Sequence, residues 1–181
     1  MIHFIASLDI RVLDLLYAYR NLTITDVFIG FTELGETIFA GGLIVCLVLY
    51  FALRRKYAYL AGLLVSAAGA TATTLILKQV VARARPDIFY RAYPESGFSF
   101  PSGHATIAVA FYGFCIFLVR RLVPNPLWRN AAMAFLTFLI LGIAFSRMYL
   151  GVHNMSDVVA GLAVGGLFVW IGHRIVMKME R

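Results

Sequence analysis

Residues 57–77 read YAYLAGLLVSAAGATATTLIL, an uninterrupted stretch without one charged side chain. At 1.5 Å per residue a helix of that length is about 30 Å long, the thickness of the hydrocarbon core of a bilayer. Further uncharged runs stand at 37–53, 96–119, 130–146 and 158–173. Each approaches or exceeds the roughly 17–25 residues that cross a membrane as a helix. Across all 181 residues 61% are hydrophobic and 14% charged, where a soluble domain carries about 25% charge. This excludes disorder, a small disulfide scaffold and an ordinary cytosolic enzyme. The expected fold class is all-α, a polytopic transmembrane helix bundle forming one domain over 1–181. Its spans are expected at about 27–53, 57–80, 102–119, 130–148 and 155–175.

Residues 1–20 differ. Ile5, Leu8, Val12, Leu15 and Leu16 recur at helical spacing, but Asp9, Arg11, Asp14 and Arg20 interrupt them. Each charge at mid-membrane costs about 2.5–3.5 kcal/mol on insertion scales. The segment is therefore expected as an amphipathic helix lying in the interface. The count is five spans, or six if this segment crosses.

The formal net charge of +7 would hint at nucleic acid on a soluble protein. Here position matters more than the sum, and no nucleic-acid partner is expected. Arg54, Arg55 and Lys56, then Arg120, Arg121 and Arg129, then Arg174, Lys178 and Arg181 fall at the ends of alternate spans. An excess of Lys and Arg marks cytoplasmic loops, so these ends and the C-terminus are expected to be cytoplasmic. The loop at 82–101 and the turn at 149–154 then face outward. Lys78, Arg83, Arg85, Arg91 and Arg147 lie on that opposite side and need another explanation.

Four span ends converge there. Lys78 and Arg85 close the second span, Ser102, Gly103 and His104 open the third, Arg147 closes the fourth, and His153 with Asp157 opens the fifth. Snorkelling to lipid headgroups explains one such cation more readily than three. Guanidinium groups grip phosphate oxygens through a planar fork, and lysine adds a compact charge. Pro101-Ser102-Gly103-His104 precedes a long apolar run; it reads as a helix cap or, beside three cations, as an anion cradle at a helix N-terminus. His153 and Asp157, four apart, share a helix face. A carboxylate there fixes the imidazole tautomer and readies the other nitrogen for attack, unless the pair is only structural. His104 would serve as general acid. A metal site fits less well, because hard cations want several carboxylates and these neighbours are mostly positive.

Lys78-Gln-Val-Val-Ala-Arg-Ala-Arg85-Pro86, Pro101-Ser-Gly-His104 and Ser146-Arg147-Met-Tyr-Leu-Gly-Val-His153-Asn-Met-Ser-Asp157 resemble, in order and spacing, the three-part signature of the type 2 phosphatidic acid phosphatase (PAP2) superfamily. The motifs span 78–157 and fit its membrane-bound bacterial branch. The resemblance implies phosphoryl transfer with no metal and no cofactor. His153 would be the nucleophile, Asp157 its orienting carboxylate and His104 the general acid. Lys78, Arg85, Ser102, Gly103 and Arg147 would hold the phosphoryl oxygens. The expected substrate is a lipid phosphate or diphosphate in the surrounding membrane: undecaprenyl diphosphate, phosphatidylglycerophosphate or phosphatidic acid. Its head would enter between the second and fifth spans, at the outer face of a plasma or inner membrane. A lipid phosphotransferase would use the same phosphohistidine. An anion channel with a basic vestibule would leave His153 and His104 unexplained. The oligomeric state stays open.

Overall fold

Lipid offers backbone N–H and C=O groups no partners, so each spanning segment must satisfy them internally as a helix. The computed structural model describes residues 2–181, with every side chain but those of Ile2, His3 and Thr37. Its helices are α1 (Ile2–Ala18), α2 (Leu22–Glu33), α3 (Thr37–Leu53), α4 (Tyr57–Val81), α5 (Gly103–Leu122), α6 (Pro126–Tyr149) and α7 (Met155–Met179). No strand occurs among the described residues. Five segments are long and apolar enough to cross a membrane: α2 with α3, then α4, α5, α6 and α7. Their outward faces carry Leu49, Leu75, Phe138, Leu141 and Leu167, all exposed, as lipid-facing surfaces require. The protein is a multi-pass integral membrane protein.

The first span departs from expectation. A straight helix over its 32 residues would be about 48 Å long, far more than a bilayer core. The chain breaks instead between Glu33 and Thr37. At the break the Leu34 carbonyl accepts a bond from Tyr112 Oη at 2.8 Å. A Cβ on Gly35 would lie 2.6 Å from Ile143 Cγ2, so only glycine lets the chain pass this close. The fourth span starts earlier than expected, because Asn125 caps it through Leu127 N at 2.9 Å and Pro126 takes the first helical position. Proline suits that position, where its missing N–H would have no partner.

Small residues let neighbouring helices close up within the chain. A Cβ on Gly62 would sit 2.9 Å from the Gly172 carbonyl, and one on Gly161 would sit 2.6 Å from the Ser102 carbonyl. α4 and α5 each carry one π-helical stretch, Val65–Gly69 and Ala108–Gly113. Such stretches free a carbonyl from the helical ladder. The Ser66 hydroxyl donates to Ala110 O at 2.7 Å and so joins the two helices.

The bundle has two unlike ends. At one, Arg121 Nε donates to Tyr59 Oη at 2.9 Å and its NH2 pairs with Glu180, which gathers three basic clusters. At the other end lie the 82–101 loop, the 150–154 turn and α1. Asp9, Asp14 and Arg20, spread along and just beyond α1, meet Ser156, Tyr90 and the Tyr149 carbonyl. The contacts from Asp9 through Arg20 all fall at this one end of the bundle, and α1 is not among the five segments long and apolar enough to cross.

Candidate active site

α7 opens on a reciprocal cap. Asn154 N and Nδ2 donate to Asp157 Oδ2 at 2.8 and 3.2 Å. Negative charge is favoured in a first helical turn, and Asp157 is fully buried there. The other oxygen, Oδ1, accepts from Arg83 NH1 at 2.7 Å. His153 Nδ1 lies 3.7 Å from Asp157 Oδ2 and has no hydrogen-bond partner among the described residues. A shift of less than 1 Å would close that bond. The backbone N–H groups of Val152 and His153 both reach the Arg147 carbonyl at 3.2 Å. This turn ties the end of α6 to the start of α7. It passes through Gly151 at φ +69, where a Cβ would run into the Tyr90 carbonyl.

His153 is 1% exposed. Burial, reinforced by the guanidinium groups of Arg147 and Arg85, outweighs the Asp157 carboxylate and lowers the imidazole to about 4. The ring is therefore neutral at pH 7. With its proton on Nδ1, facing Asp157, the lone pair on Nε2 points at Arg85 NH1, 3.1 Å away.

Arg85 is the expected cation nearest this nitrogen, and one stretch of the 82–101 loop reaches Arg85, Arg147 and Lys78 alike. Arg85 donates to the Ser96 and Gly97 carbonyls and pairs with Glu95 Oε1 at 3.3 Å. Arg147, fully buried, donates to Thr32 Oγ1, Tyr93 Oη and Glu95 Oε2, each at 2.5 Å. Lys78 Nζ donates to the Phe98 carbonyl at 2.5 Å. Burial alone would raise the Glu95 carboxyl, but Arg147 and then Arg85 hold it down at about 2.

The PSGH segment is a helix start, as expected. Ser102 caps α5, with its hydroxyl 3.5 Å from Ala105 N and its own N–H on the Asp157 carbonyl at 3.0 Å. It is fully buried, and its N–H ties the start of α5 to the first turn of α7. Gly103 has open space where a Cβ would stand, which leaves its backbone approachable. His104 Nε2 lies 3.4 Å from Glu36 Oε2, at the break in the first span. His104, Gly103 and Lys78 line a cavity of about 300 Å³ that continues along Thr71, Leu75 and Ile44. That apolar cleft is formed by α3, α4 and α5, the first three spans, whereas the sequence reading placed the entry between the second and fifth.

Sequence reasoning left Arg83 unexplained and missed Glu95, Tyr93, Thr32 and Asp9. Arg83 bridges two buried carboxylates, Asp157 and Asp9, at 2.7 and 2.8 Å. Asp9 also accepts from Ser156 N and Oγ at 2.9 and 2.6 Å. The available signal was charge in a wrong place: an aspartate on the inner face of α1 and an arginine two residues before Arg85.

A polytopic bundle with an imidazole, three cations and an apolar cleft at one end has the makings of a membrane phosphohydrolase. Residues 59–181 match the family model of the PAP2 superfamily. The chain is 31% identical over 165 residues to phosphatidylglycerophosphatase B of Bacillus subtilis, covering 90% of this chain and 80% of that protein. It is 36% identical over 143 residues to the decaprenylphosphoryl-5-phosphoribose phosphatase of Mycobacterium tuberculosis, covering 75% and 71%. The crystal structure of a transmembrane PAP2-type phosphatidylglycerolphosphate phosphatase from Bacillus subtilis superposes with a TM-score of 0.87 at 29% identity, covering 97% of this chain and 88% of that one. The chain belongs to the PAP2 superfamily, and it is a lipid phosphatase of that type.

Proposed function

We propose that the chain hydrolyses the terminal phosphate of a membrane lipid through a phosphohistidine at His153. The observation that carries this reading is His153 Nε2 facing Arg85 at 3.1 Å with Asp157 behind the ring. The Nε2 lone pair attacks phosphorus, the bond from phosphorus to the lipid oxygen breaks, and His104 gives that oxygen its proton. A water then attacks the phosphohistidine, returns a proton to His104 and releases inorganic phosphate. Arg85, Arg147, Lys78 and the Gly103 N–H hold the phosphoryl oxygens. Phosphoryl transfer asks mainly for positioning and charge stabilisation, and these groups supply both without a metal.

The apolar cleft beside His104 and Lys78 suits the lipid part of a substrate whose head reaches the cations. Phosphatidylglycerophosphate ranks first, because a relative that matches 90% of this chain is named for its hydrolysis. Undecaprenyl diphosphate and phosphatidic acid offer the same terminal phosphate. The site end is read as the outer face of the plasma or inner membrane, with the basic end and C-terminus cytoplasmic.

The test is phosphate release by the purified protein in detergent, over those three lipids, with a chelator present. His153→Ala should abolish turnover and His104→Ala should lower kcat by about 10²–10⁴-fold, the usual worth of a general acid. Full activity in the His153 variant, or a strict need for divalent metal, would overturn the mechanism. Transfer of phosphate to a lipid acceptor in place of water would mark a phosphotransferase.

A further inference from the structure

The 93–98 segment, Tyr93-Pro94-Glu95-Ser96-Gly97-Phe98, crosses the site as a strap, and its attachments are unusual. Ala92 N donates to the Leu150 carbonyl at 2.9 Å, and Ser99 N to the Arg83 carbonyl at 2.9 Å. Between those two pins no backbone N–H of the strap donates a hydrogen bond to the protein among the described residues. Its carbonyls at 96, 97 and 98, the Tyr93 hydroxyl and the Glu95 carboxylate are held by Arg85, Lys78 and Arg147. The strap is thus fastened by the same cations that are read as phosphoryl ligands. In this state Arg85 is engaged at all three of its nitrogens and Arg147 at both terminal ones, while Arg147 Nε and two of the three Lys78 protons have no partner among the described residues. Even Arg85 NH1 is turned onto the His153 lone pair and the Val152 carbonyl.

We propose that Glu95 is an internal anion occupying the phosphoryl subsite of the substrate-free enzyme, and that an incoming phosphate must displace it and lift the strap. Its two oxygens sit on two guanidinium groups, at 3.3 Å from Arg85 NH2 and 2.5 Å from Arg147 NH2, as two phosphate oxygens would. The proposal rests on Arg85 and Arg147 being phosphoryl ligands. It adds a selection rule. A phosphodiester carries one negative charge and merely replaces the carboxylate one for one. A terminal phosphate carries about −1.5 to −2 at pH 7 and gains attraction on exchange. When the phosphate draws Arg85 to itself, the His153 lone pair is uncovered. Glu95 therefore favours terminal phosphates over diesters and keeps the nucleophile capped until one arrives.

The decisive measurement is calorimetric binding of inorganic phosphate to the full chain in detergent, which needs no turnover. Glu95→Gln keeps the shape and removes the competing charge, so phosphate should bind at least tenfold more tightly. Glu95→Asp, one methylene shorter, should fall between. Equal or weaker binding to Glu95→Gln would show that Glu95 props the arginines and does not compete, and would overturn the proposal. A second readout leaves Glu95 intact: a spin label on Ser96→Cys, an exposed position, with Cys46 and Cys115 replaced by alanine. Inorganic phosphate should mobilise that label, and an unchanged or more immobile spectrum would overturn strap displacement. Lipid phosphate hydrolysis by the wild type, with no gain in Glu95→Gln, would sink this inference alone. Absence of both phosphate binding and hydrolysis would sink the functional reading together with it.

Discussion

At His153 two parts of the environment pull in opposite directions. Asp157 favours a charged ring, yet burial, Arg147 and Arg85 together hold the imidazole at about 4 against roughly 6.5 in an unfolded chain. The ring is thereby kept unprotonated over the whole physiological range, as the proposed attack by Nε2 requires. The unfolded chain takes up a proton near pH 6.5 and the folded chain only near 4, so the unfolded state binds more protons between those values. Stability accordingly falls as pH drops from about 6.5 to about 4 and levels off below. Nitrogen-15 NMR of the free enzyme should show one histidine titrating near 4; a His153 midpoint near 6.5 would contradict this placement. Lys78, Arg85, His104, Arg147, His153 and Asp157 were legible in the sequence because charge is scarce in this chain and each stands at a span end. Glu95 was not. It sits in an irregular loop, and nothing in local spacing reveals that a carboxylate ten residues beyond Arg85 folds back onto it.

Among the elements, α1 shows how a peripheral helix can bear on the chemistry. Asp9 holds Arg83, Arg83 holds Asp157, and Asp157 faces His153. Removing the Asp9 charge should loosen Arg83 and, through it, the orientation of His153. Asp9→Asn is expected to lower kcat about tenfold with little change in KM, and to cost about 1–3 kcal/mol of stability. Arg83→Lys loses the forked geometry needed to hold two carboxylates and should behave alike. If the two act in one chain, the double variant should be hardly worse than either single one. Simple addition of their losses in kcat would mean independent roles. The spans themselves were readable to within a few residues, since an apolar run without charges has little choice of structure in lipid. The break between Glu33 and Thr37 was not readable. It depends on Ile143 and Tyr112 from other helices, and the π-helical stretches of α4 and α5 meet through Ser66 and the Ala110 carbonyl. Such features arise only when helices meet.

For the whole molecule, orientation follows from a separation of charge between two ends. Arg121 with Glu180, Lys56 over the Tyr59 ring, and the neighbouring basic residues collect at the end opposite His153. Cytoplasmic loops hold such an excess of Lys and Arg, so the catalytic end should face outward. That placement decides which pool of lipid phosphates the enzyme meets. It is tested with single cysteines at Ile10 in α1, Ile88 in the long loop and Asn125 before α6, in a chain with Cys46 and Cys115 replaced. All three positions are exposed. An impermeant thiol reagent added to intact cells should label positions 10 and 88, and reach 125 only after the membrane is opened. Labelling of 10 together with 88 would also support α1 lying across the end, because a sixth crossing would begin on the far side. Labelling of 125 alone would invert the molecule: the geometry of the site would survive, and its substrates would have to come from the cytoplasmic leaflet.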